Sequence, residues 1–195
     1  MADSNITKKA LAAALKELME DISFDKITVG HICTKCEMNR KSFYYHFKDK
    51  YDLVNWIYYT EFIGTIKGKE YKDGFEFLFD VCDYLEKNRK FYRKVIKYDG
   101  QNSFFEYFEE IVTPAVVKYT CDIFGDDDNN TFYVQFFTDA FLNAIKKWLI
   151  ETNDIPAEKF ISLIRSCIYG SVFCYFNISD MLKNCYGIIL NPCNI

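Results

Sequence analysis

The amino-acid sequence predicts an all-α fold, with a three-helix head at the N-terminus and a longer helical body behind it. Three prolines and eight glycines in 195 residues leave long stretches free for helices. Apolar residues recur at helical spacing along most of the chain, and no alternation of strands with Gly-turns suggests a parallel sheet. Half of the residues are hydrophobic and 18% are aromatic, which supports a substantial core and argues against disorder.

The first helix is predicted over about Asn5–Asp21, with Leu11, Leu15, Leu18 and Met19 on one stripe. Phe24 and Ile27 cover a short connection. Thr28 stands at an N-cap position ahead of Val29, Ile32, Cys33 and Cys36, whose spacing gives a second helix of about two turns. Glu37-Met38 then makes a tight turn, and Asn39 caps a third helix holding Arg40–Phe47. Two short helices joined this way, with donors opening the second, form a helix-turn-helix. The head is assigned to residues 1–52 and the body to 67–195. A fourth helix over about 51–66, with Leu53, Trp56 and Ile57 inward, connects them. The positive end of that helix, together with Lys50, would favour a phosphate.

Gly64, Gly68 and Gly74, interspersed with Lys67, Lys69 and Lys72, mark the expected hinge. Beyond it, Phe75, Leu78, Phe79, Cys82 and Leu85 form an apolar stripe. Phe91 and Val95 belong to the next helix, and Phe104, Phe105 and Phe108 to another. Thr113-Pro114 resembles an N-cap and first-turn proline opening a helix to about Phe124. Residues 125–130 form a solvated loop. Two long helices follow. One spans about Thr131–Glu151, with Phe137, Phe141, Ala144, Ile145 and Trp148 on a face. The other runs from near Asp154 to about Asn177, with Phe160, Ile164, Cys167 and Ile168 inward and Gly170-Ser171 allowing close approach. The tail, 179–195, has no assignable pattern.

The net charge of −4 excludes a uniformly basic nucleic-acid coat, but its distribution is uneven. Residues 1–50 hold nine Lys/Arg against seven Asp/Glu, a net of +2, leaving 15 against 21 in the remainder, a net of −6. A small basic head on an acidic body suits a protein that touches phosphates at one end. The first ten residues lack an apolar signal core, and the uncharged run Ser166–Ser179 is too short to span a bilayer. Eight cysteines without a secretion signal read as reduced thiols, so a cytoplasmic protein with no membrane partner is expected.

The stretch from Arg40 to Lys50 is the most informative. Phe43 and Phe47, four residues apart, face inward, while Arg40, Lys41, Ser42, Tyr44, Tyr45, His46 and Lys50 offer donors to an acidic partner. Double-stranded DNA fits, because a recognition helix reads base edges from its first turns. Arg40 can donate two bonds to a guanine edge, and Lys41 and Ser42 can reach bases or phosphates. Tyr45 can stack on sugar or touch a thymine methyl, while Thr28 and Lys50 would clamp phosphates on either side. The alternatives are packing for Tyr44 and Tyr45, and solvated charge for Arg40 and Lys50.

Other chemistry finds little support. Cys33-Thr34-Lys35-Cys36 has CxxC spacing, but both thiols share the stripe of Val29 and Ile32, and no second pair completes four ligands. Buried thiols are the expectation. His31 and His46 are the only histidines, and neither has an evident orienting partner for a nucleophile. Asp126–Asp128 lacks the alternating ligands of a calcium loop, and no Gly-rich phosphate loop occurs. No metal, cofactor or enzymatic activity is expected.

Ile27-Thr28-Val29, Ile32, Asn39 through Phe47, Asp49-Lys50 and Leu53 together resemble the DNA-binding domain of TetR-family transcriptional regulators over about residues 7–55. The helical remainder resembles that family's ligand-binding and dimerisation domain. Asp83–Lys94 and the aromatic-rich body look similar to the branch containing activator-like regulators of dihydroxyacetone kinase operons. The resemblance implies a homodimer on a pseudo-palindromic operator, responding to a small-molecule effector. It gives Tyr44 and His46 backbone-contacting roles. It also implies an aromatic-lined pocket, for which Phe79, Tyr84, Phe105, Tyr107 and Phe141 are candidates, with core packing as the alternative for each ring. The other class of function is a protein-interaction co-regulator with a weak or vestigial head. Glu37 departs from the pattern, since the family usually has glycine in this turn. A left-handed backbone there would strain a glutamate by about 1 kcal/mol.

Overall fold

The structure is a computed structural model and describes residues 2–97, 104–124, 130–151 and 155–170. Of the loop predicted at 125–130, residues 125–129 lie outside the described residues, as do the end of the last predicted helix and the tail, while Asn130 is helical. Every regular element among the described residues is helical.

The head begins with α1 (Ala2–Asp21), three residues longer at its start than predicted, which buries Leu11, Leu15 and Met19. A short 3-10 turn, Phe24–Lys26, inserts the Phe24 ring into the core. Then follow α2 (Val29–Lys35), α3 (Arg40–His46) and α4 (Lys50–Tyr58). Phe47, predicted to close α3, is instead its extended C-cap. It stays buried, with its ring 5.8 Å from both Phe43 and Trp56.

The turn between α2 and α3 keeps a left-handed residue despite the glutamate. Glu37 has φ +56°, and its N–H donates to the Thr34 carbonyl while that of Met38 donates to the Cys33 carbonyl. This double bond pattern is a Schellman motif, in which the residue after the cap is usually glycine.

After Tyr58 the helix widens into a π segment, Tyr59–Ile63, and ends in one more α turn, α5 (Gly64–Ile66). Of the three glycines read as a hinge, Gly68 alone has positive φ. By contact, the described residues up to 151 fall in one compact unit and those from 155 in a second. Within the first unit, contacts tie the N-terminal helices to those that follow. Lys94 donates to the Met19 and Glu20 carbonyls, and Glu61 binds Lys16 at 2.5 Å and Tyr84 at 3.1 Å.

The body of the first unit contains α6 (Gly74–Lys87), α7 (Arg89–Val95), α8 (Phe104–Phe124) and α9 (Asn130–Ile150). On α6 the inward stripe is Phe75, Leu78, Val81, Cys82 and Leu85, so Val81 takes the place predicted for Phe79, which is 37% exposed. On α7 the core residues are Tyr92 and Val95, with Phe91 only half-buried.

The break expected at Thr113-Pro114 does not occur, and α8 runs through Pro114. Proline removes the N–H that would bond the Glu110 carbonyl. Glu110 and Pro114 are both exposed, so water can satisfy that carbonyl, and the Thr113 hydroxyl donates to the Glu109 carbonyl at 2.8 Å.

The core of this unit is aromatic. Fully buried Tyr58 lies 5.1 Å from the Phe62 ring, 5.3 Å from Phe104, 5.6 Å from Tyr84, 5.8 Å from Phe108 and 5.9 Å from Tyr92. In the second unit, α10 (157–170) buries Ala157, Phe160 and Ile161. Ile164 and Ile168 are half-buried and Cys167 is exposed, unlike the predicted inward stripe.

Candidate nucleic-acid interface

Helices α2, α3 and α4 each start at a side chain that caps them. Thr28 Oγ1 accepts from the His31 N–H at 3.2 Å, and His31 Nδ1 accepts in return from the Thr28 N–H at 3.3 Å. This is a capping box with histidine in the place usually taken by Glu or Gln. Asn39 Oδ1 accepts from the Ser42 N–H at 2.8 Å and from the Ser42 hydroxyl at 3.1 Å. Asp49 Oδ1 accepts from the Tyr51 and Asp52 N–H groups at 2.8 and 2.9 Å.

These caps fix α3 with Phe43 fully buried and its other face in water. Arg40 and Lys41 are exposed, as are Tyr44 at 58% and Tyr45 at 83%. Ser42 and His46 are half-buried. Tyr45 packs edge-on to the His46 ring at 4.9 Å, and Tyr44 edge-on to Phe43 at 5.6 Å. Simple burial is therefore not the role of either tyrosine. Arg40 makes no hydrogen bond or ion pair among the described residues, and its guanidinium lies against Gly30 of α2. Of the remaining candidates, Thr28 and Asn39 are exposed and hold the starts of α2 and α3.

Lys50 is placed differently from its expected role as a free phosphate clamp. Its ammonium donates to the carbonyls of Phe24, Ile27 and Asp25 at 2.7, 2.8 and 3.0 Å and lies 4.6 Å from the centre of the Phe24 ring. All three of its donors are used in closing the 3-10 turn. Burial pulls its pKa down, against the opposing pull of Asp25 and Asp49. The start of α4 is likewise already occupied by the Asp49 carboxylate.

The CxxC pair behaves as core. Cys33 is buried and Cys36 half-buried, both thiols are free, and burial pushes the pKa of both up. The Cys36 thiol donates to the Ile32 carbonyl at 3.2 Å. Among the described residues no cluster of His, Cys, Asp and Glu could hold a metal ion.

The five aromatic pocket candidates do not converge. Tyr84 and Tyr107 meet around Tyr58, the latter with ring centres 6.4 Å apart. Phe79 points to water, Phe141 is buried on α9, and half-buried Phe105 carries the Lys146 ammonium 5.3 Å from its ring centre. A shallow open groove on α8 is lined by Glu106, Glu109, Glu110, Thr113 and Pro114, none of them a candidate. The residue pattern alone does not point to Gly30, to the internal role of Lys50 or to the central place of Tyr58. A glycine inside a helix of about two turns was the one available signal.

A capped helix-turn-helix presenting unspent donors, carried on a helical body, defines the class: a DNA-binding transcriptional regulator. Residues 10–57 match the family model for bacterial regulatory proteins of the tetR family, and residues 72–170 match that for a transcriptional regulator C-terminal region. The HTH-type dhaKLM operon transcriptional activator DhaS of Lactococcus lactis subsp. lactis is 31% identical over 177 residues, spanning 88% of this chain and 94% of that protein. The chain belongs to the TetR family of transcriptional regulators, and regulation rather than catalysis is its function.

Solved structures agree on the fold. A dihydroxyacetone kinase operon activator DhaS matches with a TM-score of 0.59 at 23% identity, over 87% of this chain and 97% of that one. A TetR transcriptional regulator from Streptococcus agalactiae 2603V matches with a TM-score of 0.66 at 21% identity, over 83% and 93%. No helix among the described residues is long and apolar enough to cross a membrane.

Proposed function

We propose that two copies of this chain bind a pseudo-palindromic operator as a homodimer, placing their α3 helices in successive major grooves about 34–36 Å apart. The observation that carries this reading is Arg40, on the first turn of α3, with every guanidinium donor unspent among the described residues. Arg40 and Lys41 read bases, while Thr28, Ser42, Tyr44, Tyr45 and His46 hold the backbone. Lys50 acts from inside the head.

Pairing through the body is supported by Phe132 and Phe136 of α9, which are 68% and 56% exposed and stack with their ring centres 6.3 Å apart. Large apolar rings left side by side in water favour a partner surface. A small-molecule effector binding the body would shift the heads by preferring one arrangement of the dimer. The Lys16–Glu61–Tyr84 chain is a physical link for that shift. The description of the Lactococcus lactis relative as a transcriptional activator supports activation as the outcome. A cytoplasmic location follows from action on DNA.

The test is binding to random duplex DNA across a salt series, followed by Arg40→Ala on a duplex selected from a random library. Affinity should fall steeply with salt. Arg40→Ala should cost about 1–3 kcal/mol and relax preference at one base pair. No affinity even at low salt would favour the protein-interaction co-regulator instead.

A further inference from the structure

We propose that Gly30 is a positioning residue for base reading: its missing side chain forms the seat that holds the Arg40 guanidinium in the orientation offered to DNA. The inference rests on the reading of α3 as the recognition helix.

Gly30 is the second residue of α2, and Arg40 is the first residue of α3. A Cβ on Gly30 would lie 2.6 Å from Arg40 Nη2 and 3.4 Å from both Cζ and Nε. The guanidinium therefore occupies the space that any other residue's side chain would fill. The backbone gives no separate reason for glycine here, because φ at Gly30 is not positive. Glycine is also less favourable than alanine inside a helix, so local propensity runs against it.

Attraction does not explain the seat either. The first turn of a helix carries positive partial charge, which repels a cation. No carboxylate pairs with Arg40 among the described residues. What remains is shape: a side-chain-sized notch receives the flat guanidinium and leaves its N–H edges unspent. Bidentate reading of a guanine requires that planar fork in one defined orientation. A seat formed before binding reduces the rotamer freedom that Arg40 must lose on the DNA.

The atoms a new Cβ would meet are the far end of a flexible side chain, so alanine at residue 30 would displace Arg40 and leave α2 intact. The seat can therefore be tested separately from the fold. A duplex is first selected by the intact protein from a randomised library. It and a random-sequence duplex are then titrated with wild type, Gly30→Ala, Arg40→Ala and the double variant, with thermal melting of each protein recorded.

Gly30→Ala should melt no lower than wild type and bind random duplex equally well. It should bind the selected duplex about tenfold more weakly, at the low end of a bidentate base contact. A repeat selection should show lost preference at the base pair that Arg40→Ala also relaxes. In the Arg40→Ala background, Gly30→Ala should change nothing. Unchanged affinity and preference in Gly30→Ala, or an equal loss in both backgrounds, overturns the seat. If Arg40→Ala itself leaves affinity and preference intact, the recognition reading fails, a result distinct from failure of the seat.

Discussion

The Lys50 ammonium donates to the Phe24 carbonyl at 2.7 Å, across 26 residues of chain, and stands over the same residue's ring. Lys50→Met keeps most of the aliphatic stem and removes the donor from three carbonyls. Charged hydrogen bonds of this kind contribute about 1.5–3 kcal/mol each when shielded, but this site is partly open to water. Urea unfolding should therefore show a loss of about 1–3 kcal/mol in all. Binding to random duplex DNA should weaken no more than the unfolded fraction explains. Full stability with weakened DNA binding would restore Lys50 as a phosphate contact.

Glu37 occupies a left-handed position at φ +56°. A side chain there costs about 1 kcal/mol in the backbone, partly offset because glycine gives the unfolded chain more freedom. Glu37→Gly should raise the unfolding free energy by up to about 1 kcal/mol, with the Schellman bonds kept. A stability loss in urea would show that the glutamate side chain contributes something its backbone strain conceals.

The Tyr58 hydroxyl is fully buried and has no hydrogen-bond partner among the described residues. Its ring contacts would survive replacement by phenylalanine, and only a desolvated O–H would be lost. Tyr58→Phe should leave stability unchanged or raise it by about 1 kcal/mol, measured by thermal and urea unfolding. Destabilisation beyond about 1 kcal/mol would reveal a buried partner for the hydroxyl.

Burial pushes the phenols of Tyr58, Tyr84 and Tyr92 well above the ordinary tyrosine pKa of 10.0. Unfolded chains release those protons first, so the folded state gains relative stability from them below that pH. The gain is lost as pH rises above 10.0. Phenolate absorbance and far-ultraviolet circular dichroism followed together should show a group of tyrosines ionising only as helix is lost. Ionisation of every tyrosine ahead of unfolding would contradict this burial.

What the sequence revealed was mostly local. Thr28 and Asn39 are legible as caps because each binds a backbone N–H three residues ahead. The left-handed turn at Glu37 was legible only through the family resemblance, which puts glycine at that place. Lys50 was not, because its partners are main-chain carbonyls of residues 24, 25 and 27, and a carbonyl leaves no mark in the residue alphabet. Pro114 failed for a related reason. Whether a proline ends a helix depends on whether water can reach the orphaned carbonyl, which only the packed structure decides. On α6, Phe79 and Val81 both fit a helical stripe containing Leu78 and Cys82, and packing chose the smaller residue. Arg40 was identified by type and place, but the Gly30 surface beneath it required two helices to be brought together.

The three caps of the head also bear on how it acquires its shape. Helices α2 and α3 have seven residues each and α4 has nine, all below the roughly 12–15 at which an isolated helix becomes even marginal in water. None would persist alone. Yet Thr28, Asn39 and Asp49 each settle where a helix begins through bonds spanning two or three residues. The starting points of nucleation are thus written next to the nuclei, and the conformational search is reduced to docking pre-registered turns around Phe43 and Phe47. Chains dominated by such short-range closure fold in microseconds to milliseconds. For this head, the places of three side-chain oxygens favour rapid assembly.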